Sequence, residues 1–136
     1  MLIVFTILTT TPLQVLLQQA KAQQQHQLDK IINIPAGHVD YLTFSVSQDA
    51  VNPRLTGTYE VHGGIIPAVN VYIGTTTQCP DPTDPSNCSG AFTDSGKSLG
   101  QIDMALIPGS TYYLIFENIA PLGESKQVST HLTLTG

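Results

Sequence analysis

Between the turn Pro108-Gly109-Ser110 and Asn118, Tyr112, Leu114 and Phe116 alternate with Tyr113, Ile115 and Glu117. A repeat of two is the period of an extended strand, and aromatic and β-branched side chains suit a pleated surface. Proline presets φ and glycine accepts positive φ, so the chain reverses just before this strand begins. Both of its faces are rich in apolar side chains. That places the strand in the middle of a sheet, covered on both sides, and the rest of the chain must supply its neighbours.

Those neighbours are readable as further alternating runs separated by turn residues. Ile31, Ile32 and Ile34 form a short strand stopped by Pro35-Ala36-Gly37. Leu42, Phe44 and Val46 then alternate with Val39, Tyr41, Thr43 and Ser45, the pattern of a strand buried on one side. Leu55, Gly57, Tyr59 and Val61 alternate with Thr56, Thr58, Glu60 and His62, and Gly63-Gly64 supplies a turn with positive φ at both positions. Val69, Val71 and Ile73 give another run, and Pro67 before it implies either an edge strand or a start after the proline. A short strand around Phe92, a run through Ile102, Met104 and Leu106, and a closing run through Val128, Thr130, Leu132 and Leu134 complete the set. No helical spacing persists beyond a turn in this part of the chain. About seven or eight strands in a single domain predict an all-β fold, an antiparallel two-sheet β-sandwich.

At 136 residues, with 11% charged side chains and a net charge of −5, the chain has room for one domain and no phosphate-binding stripe. Lys21, Lys30, Arg54, Lys97 and Lys126 are scattered, which excludes a nucleic-acid surface. Cys79 and Cys88 bracket a polar loop with three prolines. Zinc would need more nitrogen or sulfur ligands nearby, so the pair reads as a disulfide closing the loop, and with it an oxidising compartment. Residues 1–22 support that compartment. They combine an apolar run from Leu2 to Leu8, a second around Leu13 to Leu17, and the small-x-small pattern Ala20-Lys21-Ala22 of a signal-peptide cleavage site. No Lys or Arg precedes the run, so the true start can lie upstream, and an uncleaved anchor is the alternative. The expected organisation is a signal peptide over 1–22, a flexible glutamine-rich spacer over 23–30 and a sandwich over 31–136. The product is secreted, extracellular or at the cell surface, with no membrane span once the leader is removed.

Chemistry-bearing residues are few. Asp81, Asp84 and Asn87 in the cysteine loop offer hard oxygens that suit calcium, or ordinary turn chemistry. Asn87-Cys88-Ser89 fits the acceptor pattern for N-glycosylation. His38, His62 and His131 with Asp103, or the carboxylates Asp40, Glu60, Asp103 and Glu117, have no motif that gathers them into catalysis. The chain therefore reads as a non-enzyme with no cofactor. Tyr41, Tyr59, Tyr72 and Tyr113 either form an exposed aromatic patch for a protein or carbohydrate partner or merely cover the outer faces of the sheets. The alternative role is structural: residues 23–33, a free segment ending in Ile31-Ile32-Asn33, would be donated as a strand to a neighbour in self-association.

Three groups of residues resemble a known family. Gly57-Thr58-Tyr59-Glu60-Val61, then Val69-Asn70-Val71-Tyr72-Ile73, then Gly109 with Tyr112-Tyr113-Leu114-Ile115-Phe116-Glu117-Asn118, resemble the GOLD domain of emp24-type cargo proteins. Lys126-Gln127-Val128 before the last strand fits as well. The resemblance implies a lumenal-type β-sandwich that binds proteins or lipids. The coiled coil and membrane helix that follow in emp24-type proteins are not part of the resemblance. The family's disulfide crosses the sandwich, whereas Cys79 and Cys88 are local to one loop.

Overall fold

The computed structural model describes residues 25–118 and 124–136, so the leader expected over 1–22 lies outside the described residues. In chain order the strands are β1 (Gln25–Leu28), β2 (Ile31–Ile34), β3 (Val39–Ser45), β4 (Arg54–His62) and β5 (Val69–Thr75). They continue as β6 (Phe92–Lys97), β7 (Leu99–Ala105), β8 (Thr111–Glu117) and β9 (Lys126–Thr135). A single 3-10 turn, Pro85–Asn87, lies between β5 and β6, and no α-helix occurs among the described residues.

Two antiparallel sheets stack face to face, as the alternating runs predict. In sheet I, β1 and β2 lie end to end along β9, followed by β4 and then β7. Sheet II runs β3, β8, β5, β6. The core between them takes the inward side chains of each strand. Leu55, Tyr59, Val61, Ile102, Val128 and Leu132 come from sheet I, and Val69, Val71, Ile73, Leu114 and Phe116 from sheet II. Burying an apolar side chain of this size contributes about 1.5–3 kcal/mol, which makes this layer the main stabilising term.

The strand at 111–117 does sit inside its sheet, between β3 and β5. Its outer face is covered differently from the expectation, by neighbouring side chains and not by a second layer of strands. Ile115 is wholly buried there, opposite Tyr41 on one side and Tyr72 on the other. The run near Pro67 resolves to the second of its two readings: β5 starts at Val69, after the proline, and is interior to sheet II. Gly63 and Gly64 both take positive φ, 103° and 77°, yet they close no hairpin. They carry the chain from β4 in sheet I to β5 in sheet II.

The N-terminal segment departs most from expectation. The spacer expected over 23–30 contains β1, which pairs along β9 from Leu28↔Leu132 to Gln25↔Thr135, and β2 pairs with the earlier part of the same strand. The physical reason is the bare edge of β9. Its backbone donors and acceptors gain partners from any extended segment that reaches them, whatever its side chains. The segment read as free for donation to a neighbour is therefore engaged within its own chain.

Candidate functional site

The outer faces of the two sheets have different chemistry, and that difference locates the site. Sheet I presents polar pairs to solvent: the Arg54–Asp103 ion pair at 2.6 Å, and contacts of His62 with Glu60 at 3.4 Å and of His131 with Asp29 at 3.9 Å that are ionic only when the imidazole is protonated. These are half-exposed pairs, each of small energetic value. They also separate the histidines and carboxylates considered for catalysis. Asp103, Glu60 and Glu117 face three different sets of neighbours, and Asp40 accepts a hydrogen bond from the adjacent Tyr41 amide.

Sheet II instead presents tyrosines around a buried apolar floor. Tyr41 on β3 and Tyr72 on β5 lie directly across from Ile115. Tyr113 shares the β8 face with Ile115 two residues earlier, and its ring meets that of Tyr41 edge-on, with centroids 5.6 Å apart and planes at 82°. Tyr41 is exposed, while Tyr72 and Tyr113 are half-buried. At one end of this patch a polar cluster is fixed in place. Glu117 Oε1 accepts hydrogen bonds from Asn70 Nδ2 and from the Tyr72 hydroxyl, both at 3.1 Å. Asn70 Oδ1 in turn accepts from the Gly96 amide at 2.9 Å, tying the cluster to β6. Burial, then the hydrogen bond and negative charge of Glu117, hold the Tyr72 phenol above its ordinary value of 10.0.

The opposite end is bounded by the cysteine loop. Gly74, on the same outer face as Asn70 and Tyr72, pairs directly with Tyr113. A Cβ on Gly74 would stand 2.8 Å from Cys79 Sγ and 2.9 Å from the Ala91 Cβ. The disulfide between Cys79 and Cys88 thus lies against the sheet at the one position on this strand without a side chain. The loop makes a wall beside Tyr113, with Cys79 wholly buried. The result is a shelf floored by Ile115, flanked by tyrosines, with a carboxylate and amide at one end and the disulfide loop at the other.

Three of the four tyrosines singled out from the sequence come together here, and the fourth does not. Tyr59 is wholly buried, its ring packed edge-on against Phe116 at 6.3 Å and its hydroxyl donating to Asp94 Oδ2 at 2.8 Å. Its place in the run Leu55, Gly57, Tyr59, Val61 was the available signal, since those residues share the inward face. Asn70 and Glu117 have no signal in the sequence as a pair, because only the β5–β8 register brings them opposite each other.

The oxygens expected as calcium ligands serve their own turns. Asp81 Oδ1 accepts from the Thr83 hydroxyl at 2.6 Å and from the Thr83 amide at 3.0 Å, which holds its carboxyl below the usual 3.8. Asp84 accepts from Ser86 Oγ at 2.5 Å and from Asn87 Nδ2 at 3.2 Å. Among the described residues no group of three or more His, Cys, Asp or Glu side chains gathers at one point. Asn87, the glycosylation acceptor, is exposed at the end of the 3-10 turn, next to the bonded Cys88.

A separate cavity of about 360 Å³ opens in the seam between the sheets. Its floor is Val46, Ala50 and Leu134, and its rim His26, Ser45 and Ser47. It offers a gap between layers but no tyrosine and no Asp or Glu side chain, so the shelf on sheet II is the stronger candidate.

No family model and no curated protein matches the chain. Among solved structures it is similar to PliG of Aeromonas hydrophila, a periplasmic inhibitor of g-type lysozyme, at 16% identity over 82% of this chain and 90% of that one, with a TM-score of 0.41. It is similar also to the pre-peptidase C-terminal domain of collagenase from Bacillus anthracis, at 16% identity over 76% and 89%, with a TM-score of 0.46. A third is the carbohydrate-binding module CBM36 solved with calcium and xylotriose, at 8% identity over 82% and 99%, with a TM-score of 0.41. None of these is a GOLD domain, and at these scores none bears on what this chain binds.

Proposed function

We propose that this protein is an exported, non-catalytic binding module that engages its partner through the outer face of sheet II. The observation that carries the reading is the shelf itself: three tyrosines around Ile115, with Glu117 and Asn70 held ready by their own hydrogen bonds. Tyrosine brings apolar area and a polar tip at low entropic cost, which is why it suits contact surfaces. Preorganised polar groups at one end give such a surface direction and specificity. Export is supported by the disulfide in the 76–91 loop and by the leader pattern over 1–22. The likeness of 57–61, 69–73 and 112–118 to GOLD domains fits a binding role as well.

The test compares Tyr41→Ala and Tyr113→Ala with Gln101→Ala, an exposed position on the outer face of sheet I. Binding is measured against extracellular and cell-surface material separated into polysaccharide and protein fractions. Both tyrosine variants should keep the β-sheet circular dichroism of the parent and lose binding about tenfold or more, the scale of one anchoring aromatic. Gln101→Ala should bind as the parent does. Equal binding by all three proteins would show that the face is not the site.

A further inference from the structure

We infer that the occupant of this shelf is a neutral, hydroxyl-rich glycan chain, an inference that rests on the binding role proposed for the face. Size is the first argument. From the Glu117 row to the Tyr113 row is four residues of strand, about 13 Å, and from Tyr41 to Tyr72 is two strand spacings, about 10 Å. A footprint on the order of 130 Å² is far below the ~800 Å² per side that a stable protein–protein contact buries. It matches a short, narrow ligand.

Charge is the second argument. Among the described residues the outward positions of β3, β8 and β5 carry one formal charge, that of Glu117, and no lysine or arginine. A carboxylated or phosphorylated chain would meet repulsion from Glu117, and the one cation on the strands of this sheet, Lys97 on β6, is paired with Asp94 at 3.0 Å. An amphipathic cationic peptide would gain one carboxylate contact on a surface too small for the rest of it.

Chemistry is the third argument. Pyranose rings present C–H faces and rims of hydroxyl donors. The tyrosine rings offer faces for the former. For the latter, Asn70 and Tyr72 both donate to Glu117 Oε1, and among the described residues none donates to Oε2. Oε2 can accept from a hydroxyl in a charge-assisted bond, roughly twice as strong as a neutral one. The disulfide loop beside Tyr113 closes one end of the strand direction, so a chain lying along the strands ends against it.

The experiment uses the full chain, labelled for amide NMR, titrated with neutral hexaoses of glucose, xylose, mannose and N-acetylglucosamine. Oligogalacturonate serves as an acidic glycan, and a set of amphipathic peptides as the protein-like alternative. At least one neutral hexaose should shift the amides of Tyr41, Tyr72, Gly74 and Tyr113, with no shift from oligogalacturonate. Tyr41→Ala tests the exposed ring with little risk to folding, and Glu117→Gln should weaken the same binding about tenfold, the loss of one hydrogen bond to a charged group. Peptides shifting this face where no sugar does would overturn the glycan inference and leave the binding face standing. Binding of oligogalacturonate alone would overturn it too. Silence from every probe, together with unchanged binding by Tyr41→Ala in the fractionation test, would remove both readings.

Discussion

Tyr59 reaches across the core from β4 to donate its hydroxyl to Asp94, whose other oxygen meets Lys97 Nζ at 3.0 Å. Its ring fills the space over Gly100, the residue directly across on β7. Burial first, then the hydrogen bond and charge of Asp94, raise this phenol well above its ordinary 10.0. Above about pH 10 the unfolded chain releases a proton that the folded chain retains. The stability this group contributes is therefore complete below that pH and falls as pH rises toward the folded value. Tyr59→Phe should cost about 1 kcal/mol at neutral pH, the worth of one hydrogen bond. Its unfolding free energy should then decline less than the parent's between about pH 9 and about pH 11 in urea titrations. Tyr72 titrates in both proteins, so the difference belongs to Tyr59, and parallel curves would show that the buried phenol is not linked to folding. The same residue shows what single positions reveal in a sequence. Tyr41, Tyr59, Tyr72 and Tyr113 are chemically alike. Strand parity separates Tyr59 from the others, but the Tyr41–Tyr113 contact needs the β3–β8 register.

At the scale of elements, the strands with apolar alternation were readable, from Arg54–His62 to Lys126–Thr135. Their side chains choose a face, and that choice is written in the residue types. β1 was not readable, because Gln25, His26 and Gln27 are exposed, Leu28 alone packs against the core, and the strand is held mainly by backbone pairing. Which strands share a sheet was also hidden: the Gly63-Gly64 turn has the right residues for a hairpin, yet the chain changes sheets there. Between β1 and β2 the edge is interrupted at Asp29 and Lys30, and buried Thr130 bridges the break. Its hydroxyl donates to the Leu28 carbonyl at 2.7 Å and accepts from the Lys30 amide at 2.9 Å. Thr130→Val keeps the shape and removes both bonds, taking from the Lys30 amide its hydroxyl acceptor. The expected loss is about 1–3 kcal/mol in denaturant unfolding, with faster amide exchange at Lys30. A variant as stable as the parent would mean that water replaces the hydroxyl without cost.

For the molecule as a whole, the two faces differ: charged and polar side chains keep sheet I solvated, and sheet II carries the shelf. If the shelf is the binding face, as proposed, the cysteine loop serves both stability and recognition. Replacing Cys79 and Cys88 by serine frees a short loop and should cost roughly 2.5 kcal/mol by chain entropy. It should also loosen the wall over Gly74, so affinity for whatever the shelf binds should fall although no tyrosine has changed. Calorimetry and binding on the same variant check the two parts, and unchanged affinity would detach the loop from the site. The pairing of Gln25 with Thr135 brings these two residues together at one corner of sheet I. Tension applied through those two residues acts across the β1–β9 ladder and opens its bonds one after another, as a zip does, instead of loading them together in shear. Hung from a scaffold by that corner, the module carries no load. Placed in line between two pulled ends, it would yield there first.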